Sequence, residues 1–229
     1  THDTLYLYEN RYKKPKEVFK QTVKLNHNVS ASSYFNMRSM TIDSGKSFIT
    51  TSTFSGDVTY IRNLATANWY LVSSPVAGED MTDMRTNNSF ANGTGGSRIG
   101  FAKYESDSWS YFTSSSSDVL VSGTGYSTKL ASIGDISFTG TLNTTDVETP
   151  SLTTGFNLIG NPFPSYLNMT TSAHANDNFL TVNEAAIDDT AEFIYAWDGS
   201  QYVLYGHNDA YSIEHIAPGE GFFVYSSAD

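Results

Sequence analysis

The chain has 229 residues, 39% hydrophobic and 14% aromatic, enough apolar material for a sizeable core and too much for a disordered chain. A net charge of −11 argues against nucleic acid as a partner, and the absence of cysteine excludes disulfides, thiolate metal sites and cysteine nucleophiles. No apolar run approaches the ~20 residues of a membrane-spanning helix, so membrane insertion is not expected, and no charged-then-apolar leader opens at Thr1.

The charge is uneven. Residues 1–24 carry six basic residues against three acids, a net of +3, and the remainder carries −14. The basic run "RYKKPKEVFK" could touch an anionic glycan, but it reads first as a solvated face. Abundant Thr, Ser, Gly, Asn and Tyr, with little Lys or Glu, is the composition of an extracellular β-protein.

In chain order, "TLYLYE" reads as a strand. "KPKEVFKQTVKLN" is open between strand and helix, and the Pro together with the alternation of Val18, Lys20, Thr22 and Lys24 favours strand. "MTIDSGKSFITT" reads as strand again. These residues, 1–55, form an N-terminal β segment without an internal repeat.

From Gly56 onward the chain repeats itself. "GDVTYIRNLA" aligns with "GDISFTGTLN" at an offset of 78, and "NWYLVSSPV" with "GFNLIGNPF" at 87. "FAKYESDSW" aligns with "IYAWDGSQY" at 93, and "GTGYS" with "GEGFF" at 96. Four blocks in one order indicate a duplicated unit, copy one at 56–133 and copy two at 134–229.

Each block has a physical reading. Alternate apolar residues (Val58, Tyr60; Ile136, Phe138) have the period of a half-buried strand. "WYLVSSP" and "FNLIGNP" are apolar runs closed by Pro, as in a strand covered on both faces or central in a sandwich. "YESDSW" and "WDGSQY" are hairpins whose flanking aromatics pack together, and "GTGY" and "GEGF" lead into last strands. Helical signal is thin: "TVNEAAIDDTAEF", from Thr181 to Phe193, is a short helix or an ordered loop. It and the Asn/Gly/Asp-rich segment Ala77–Gly96 are insertions at matching places, expected at one end of the fold.

The fold class expected is all-β: an antiparallel β-sandwich built from the internal duplication, with an N-terminal β segment.

The carboxylate clusters Glu79/Asp80/Asp83 and Asp188/Asp189/Glu192 lie in the paired insertions. Glycoside hydrolysis would need two such groups across a cleft, but solvated acidic loops explain them more simply. Asp177, Asp188 and Asp189, with carbonyl oxygens from Asn176 and Asn178, are candidate ligands for a structural Ca²⁺. His174, His207 and His215 match no zinc spacing, and no G-x-S-x-G elbow or phosphate-binding loop is present. Five Asn-x-Ser/Thr sequons (Asn28, Asn87, Asn92, Asn143, Asn168) follow from Asn- and Thr-rich loops. Carbohydrate binding asks for exposed aromatics beside amide and carboxylate groups. Trp109 and Tyr202 are the leading platforms, with Trp197, Tyr205 and Tyr211 as further material, and Asn161 is the distinctive polar residue of "FNLIGNPFPS". Trp69 is expected in the core.

A strand ending in Asn-Pro-Phe-Pro, the "IYAWDGSQYVLY" hairpin and "IAPGEGFFVYSS" together resemble a β-sandwich region of exported Bacteroidetes proteins, found ahead of type IX secretion sorting domains. "MTIDSGKSF" resembles the closing rungs of a β-solenoid that precedes this module. The resemblance covers about residues 34–229 and names no catalytic residue. It implies an extracellular or cell-surface location and adjoining domains in a longer precursor. The expected function is therefore a non-catalytic module mediating adhesion or attachment to a polysaccharide or cell-surface glycan, without a cofactor. A structural spacer ahead of a secretion signal and a polysaccharide-degrading enzyme are the alternatives.

Overall fold

The structure is a computed structural model that describes residues 19–25, 29–31, 35–50, 54–149, 152–188, 193–206 and 214–227. It is all-β and sandwich-like. The expected strand "TLYLYE" lies outside the described residues, as do Asp189, Glu192, His207 and Tyr211.

The N-terminal segment coils. Strands β1 (Phe19–Leu25), β3 (Phe35–Ile42) and β5 (Phe54–Leu64) pair in parallel, and so do β2 (Val29–Ala31) and β4 (Phe48–Thr50). Met40 lies beside Val58 and Val29 beside Phe48, so each circuit takes about 18 residues. This parallel pairing sets the segment apart from the antiparallel sheets of the repeats. Consecutive strands here do not pair as hairpins; each strand instead runs parallel to the one two places before it, β3 beside β1, β4 beside β2 and β5 beside β3.

The two copies of the repeat share one topology. In the first, β6 (Tyr70–Ser73), β7 (Arg98–Glu105), β8 (Ser108–Thr113) and β9 (Gly125–Thr128) form an antiparallel sheet of order β6-β9-β7-β8. After β10 (Gly134–Gly140), the second has β11 (Gly155–Gly160), the short β12 (Leu167–Asn168), β13 (Ile194–Trp197), β14 (Tyr202–Tyr205), the short β15 (His215–Ile216) and β16 (Gly221–Ser226). Its sheet runs β11-β16-β13-β14, the same order by position in the repeat. The first strands of the two copies, β5 and β10, pair antiparallel at the edge of the N-terminal sheet, with Tyr60 opposite Phe138.

Alternation decides what each strand buries. Val58, Tyr60 and Leu64 from β5 and Ile136 and Phe138 from β10 join Val72, Phe101 and Tyr126 in the core of repeat one. Ile159, Ile194, Phe222 and Val224 form the corresponding core of repeat two. The neighbouring residues Leu71 and Leu158 point the other way, into a third cluster between the two repeat sheets.

The Pro-terminated strands β6 and β11 are edge strands, not central ones. They are nonetheless buried on both faces, because each is bridged by the other repeat: Val72 to Glu220, and Thr124 to Ile159. These bridges are reciprocal, since Val72 aligns with Ile159 and Thr124 with Glu220. Ser73 donates its backbone N–H to the Gly219 carbonyl at 3.1 Å, and Gly160 does the same to Gly123 at 3.0 Å. Such isologous contacts are the signature of a two-fold interface, here within one chain. They explain the G-x-G blocks. A Cβ on Gly125 would stand 2.5 Å from the Ile159 carbonyl oxygen, and one on Gly221 2.7 Å from that of Val72.

The insertions both carry short helices, α1 (Met81–Asn87) and α2 (Phe179–Val182), the second followed by a 3-10 turn at Glu184–Ala186. The sequence reading missed α1, whose marks are Asp80 as N-cap and the buried pair Met81 and Met84 one turn apart. The loop and helix of this insertion also close the outer edge of β10. Ala77 exchanges two backbone hydrogen bonds with Thr141, and the Asn88 side-chain amide both accepts from the Ser137 N–H and donates to its carbonyl. Between them, a Glu79 carboxyl oxygen accepts the Thr139 N–H. Side chains thus stand in for a further strand and blunt the edge.

Glu79 is therefore no solvated loop residue. It is 1% exposed, and its other carboxyl oxygen is buried with no hydrogen-bond partner. Burial pushes the carboxyl up to about 7, against the opposing effect of the Thr139 N–H.

Candidate functional site: an aromatic seam between the repeats

Each hairpin fixes an aromatic pair. In β7–β8, Ser106 and Asp107 both adopt positive φ (50° and 56°), the two-residue turn that matches strand twist. It sets Tyr104 opposite Trp109, edge to face at 5.1 Å. In β13–β14, an Asp198 carboxylate oxygen accepts from the Ser200 and Gln201 N–H groups. Those bonds, the Gln201 N–H first, hold its carboxyl below the usual range. This turn sets Trp197 opposite Tyr202, again edge to face, at 4.9 Å.

The two pairs converge on Phe223. Its ring lies 5.0 Å from Tyr104, 6.2 Å from Trp109 and 5.9 Å from Tyr202. Phe156 extends the band on one side, touching Phe223, Tyr195 and Tyr225. On the other side, the Trp197 Nε1–H donates to the Trp69 carbonyl at 2.9 Å, and the Trp69 ring packs on Tyr111. Arg98 sits 5.7 Å over the Tyr111 ring. The result is an aromatic band centred on Phe223, with the Trp69–Tyr111 pair tied to its end by the Trp197 hydrogen bond.

Sequence-based platform residues thus meet, with different degrees of access. Tyr202 is 46% exposed, whereas Trp109 and Trp197 are half-buried in the band. Two rings not singled out from the sequence, Tyr111 at 38% and Phe156 at 40%, are exposed, and so is Trp69 at 36%, against the expectation of a core position. Trp69 is not in the core, because it precedes β6 and lies at the rim of the seam. The spacing of Trp109 and Tyr111, two apart on one strand, puts both on one face and could have revealed the second. Burial raises the hydroxyls of Tyr104, Tyr195 and Tyr202 above their ordinary value, so they act as neutral hydrogen-bonding groups.

Tyr205 and Asn161 are corrected. Tyr205 is 6% exposed, in the core of repeat two, and presents no face to a ligand. Asn161 is fully buried and committed to the structure: its amide donates to the Ser165 carbonyl in its own turn and to the Ile216 carbonyl in β15, and its oxygen accepts the Phe163 N–H. "FNLIGNPFPS" is a strand and its stop.

Of the calcium candidates, Asp177 is exposed before α2 and Asp188 follows the 3-10 turn, its N–H bonded to the Tyr225 carbonyl. Among the described residues no group of three His, Asp or Glu side chains could hold a metal ion. His174 accepts the Asp177 N–H through Nδ1, and His215 packs against Tyr166. Among the described residues, no helix is long and apolar enough to cross a membrane.

A separate cleft of about 540 Å³ opens on the outer face of repeat two. Leu152, Phe163, Phe179 and Val182 contribute its apolar walls, and Asp146, Glu148 and Asp177 also line it.

Comparison of the chain with protein families, with curated proteins and with solved structures finds no match.

Proposed function

We propose that the chain is a non-catalytic module of a bacterial surface or secreted protein that attaches to polysaccharide through the aromatic seam. The observation that carries this is the joint exposure of Trp69, Tyr111 and Tyr202, each more than a third open, along one band. Exposed apolar patches rimmed by polar residues mark sites of interaction. Sugar rings suit it, because their C–H faces pack on aromatic rings while hydroxyls reach polar groups at the margins. The hairpin carboxylates Asp107 and Asp198 are such groups. The resemblance to exported Bacteroidetes sandwich regions supports an extracellular setting.

A structural spacer is the second reading, favoured by the reciprocal bridges that lock the repeats together. The enzyme alternative draws least support. Glycoside cleavage needs a carboxyl of raised pKa facing substrate, and Glu79, whose carboxyl is so raised, is buried under the edge of β10.

Affinity electrophoresis against a panel of neutral and acidic polysaccharides separates the readings. Each stacked ring contributes about 0.5–1.5 kcal/mol. The expected result is retardation by at least one polysaccharide, weakened about tenfold or more in a Trp69→Ala, Tyr111→Ala, Tyr202→Ala variant. No retardation by any polysaccharide would leave the spacer reading, and product release from any of them would establish an enzyme.

A further inference from the structure

The two repeats present equivalent outward faces: Val72, Phe101 and Tyr126 in one, Ile159, Ile194 and Phe222 in the other. Repeat one closes this face with the long strands β3, β5 and β10. Among the described residues, repeat two covers it with short pieces, α2, the 3-10 turn, β12 and β15, and these leave the cleft of about 540 Å³. The cleft is thus where the same scaffold, one copy earlier, carries extended chain.

We propose that the cleft of repeat two is a docking site for an extended cationic peptide that alternates apolar side chains with Lys or Arg. The walls supply the apolar half of the match: Phe163 and Phe179 are partly open, and Val182 is 67% exposed. Charge supplies the other half. Asp146, Glu148 and Asp177 line the cleft, and none of its described lining residues is Lys, Arg or His. That field attracts a basic segment and repels nucleic acid and acidic glycans. Repeat one shows the apolar part of such an occupant in place. Strand β5 buries Val58 and Tyr60 against repeat one and then sends Arg62 to the Gly219 carbonyl at 2.6 Å and toward Glu220 at 3.9 Å. Apolar alternation followed by an arginine on an acidic partner is the pattern expected of the ligand. This inference is independent of glycan attachment at the seam.

The test is fluorescence anisotropy of a labelled synthetic peptide with the sequence Gly56–Leu64 carrying Asp57→Lys, titrated with the full chain. A control peptide carries Asp57→Glu and Arg62→Glu. The cationic peptide is expected to bind, with affinity falling about tenfold between about 0.05 M and about 0.5 M salt, and the acidic control is not. In the protein, Asp146→Asn with Glu148→Gln is expected to weaken binding about tenfold. Val182→Lys, at an exposed position, is expected to abolish binding with the melting temperature unchanged. Absence of binding at millimolar protein, equal binding of both peptides, or binding untouched by Val182→Lys would each overturn the proposal.

Discussion

The two repeats have the same strand order and opposite solutions for their outer faces. Repeat one lies under the N-terminal sheet, with Tyr60, Ile136 and Phe138 completing a continuous core. Among the described residues, repeat two has short helices and two-residue strands over its equivalent residues, and a cleft remains. What stays constant between them is the inner face. Leu71 and Leu158, the paired hairpin aromatics and the G-x-G turns all serve the contact with the other copy. The duplicated unit is therefore best understood as half of an interface. Three of the four recurring sequence blocks meet across it, while the fourth supplies β5 and β10, which pair with each other in the N-terminal sheet.

Three experiments sharpen that comparison. The glycines should matter most, and equally. Gly125→Ala and Gly221→Ala each drive a methyl into the backbone of the opposite repeat, and each should cost about 3 kcal/mol. For a chain of this size that lowers the melting temperature by about 6–12 °C. A large effect at one glycine and none at its twin would break the two-fold relation.

Glu79 tests a feature of repeat one. Its folded carboxyl is raised from 4.5 to about 7, so the unfolded chain ionises first. Stability from this group is full below pH 4.5 and is lost as pH rises through 7, about 3 kcal/mol in all. Glu79→Gln keeps an acceptor for the Thr139 N–H and removes the ionisation. Thermal melts from pH 5 to pH 8 should fall less steeply in the variant than in the parent, and parallel curves would show that Glu79 does not titrate in this window.

The strand stops differ more subtly. Asn161 makes two hydrogen bonds in its turn and a third to Ile216 in β15, whereas the aligned Ser74 bonds with the N–H and carbonyl of Val76. Asn161→Ala should cost about 2 kcal/mol and Ser74→Ala about 1 kcal/mol, measured by denaturant midpoints. The reverse order would mean that the turn beyond Asn161 relaxes without loss.

Much of this architecture was legible in the chain. Alternation at Val58/Tyr60 and Ile136/Phe138, the Pro stops and the aromatic-flanked hairpins each state a local rule, and the structure obeys them. Three things were hidden because they depend on distant chain. Glu79 looked like one more surface acid, and only the edge of β10, some 60 residues on, makes it a buried acceptor. Tyr205 looked like a platform, and its register opposite Ile194 turns it into the core. Trp69 looked buried because it begins an apolar run, yet β6 starts one residue later and leaves its ring at the rim. Helix α1 was missed for a local reason, since seven residues with a single turn of apolar spacing give little periodicity.

The central claim is that the repeats form one body through reciprocal contacts. Differential scanning calorimetry of the full chain and of its Gly221→Ala variant tests it most directly. The account predicts one transition in each, with matching calorimetric and van't Hoff enthalpies and a lower midpoint in the variant. Two separable transitions, of which the substitution shifts only one, would contradict it.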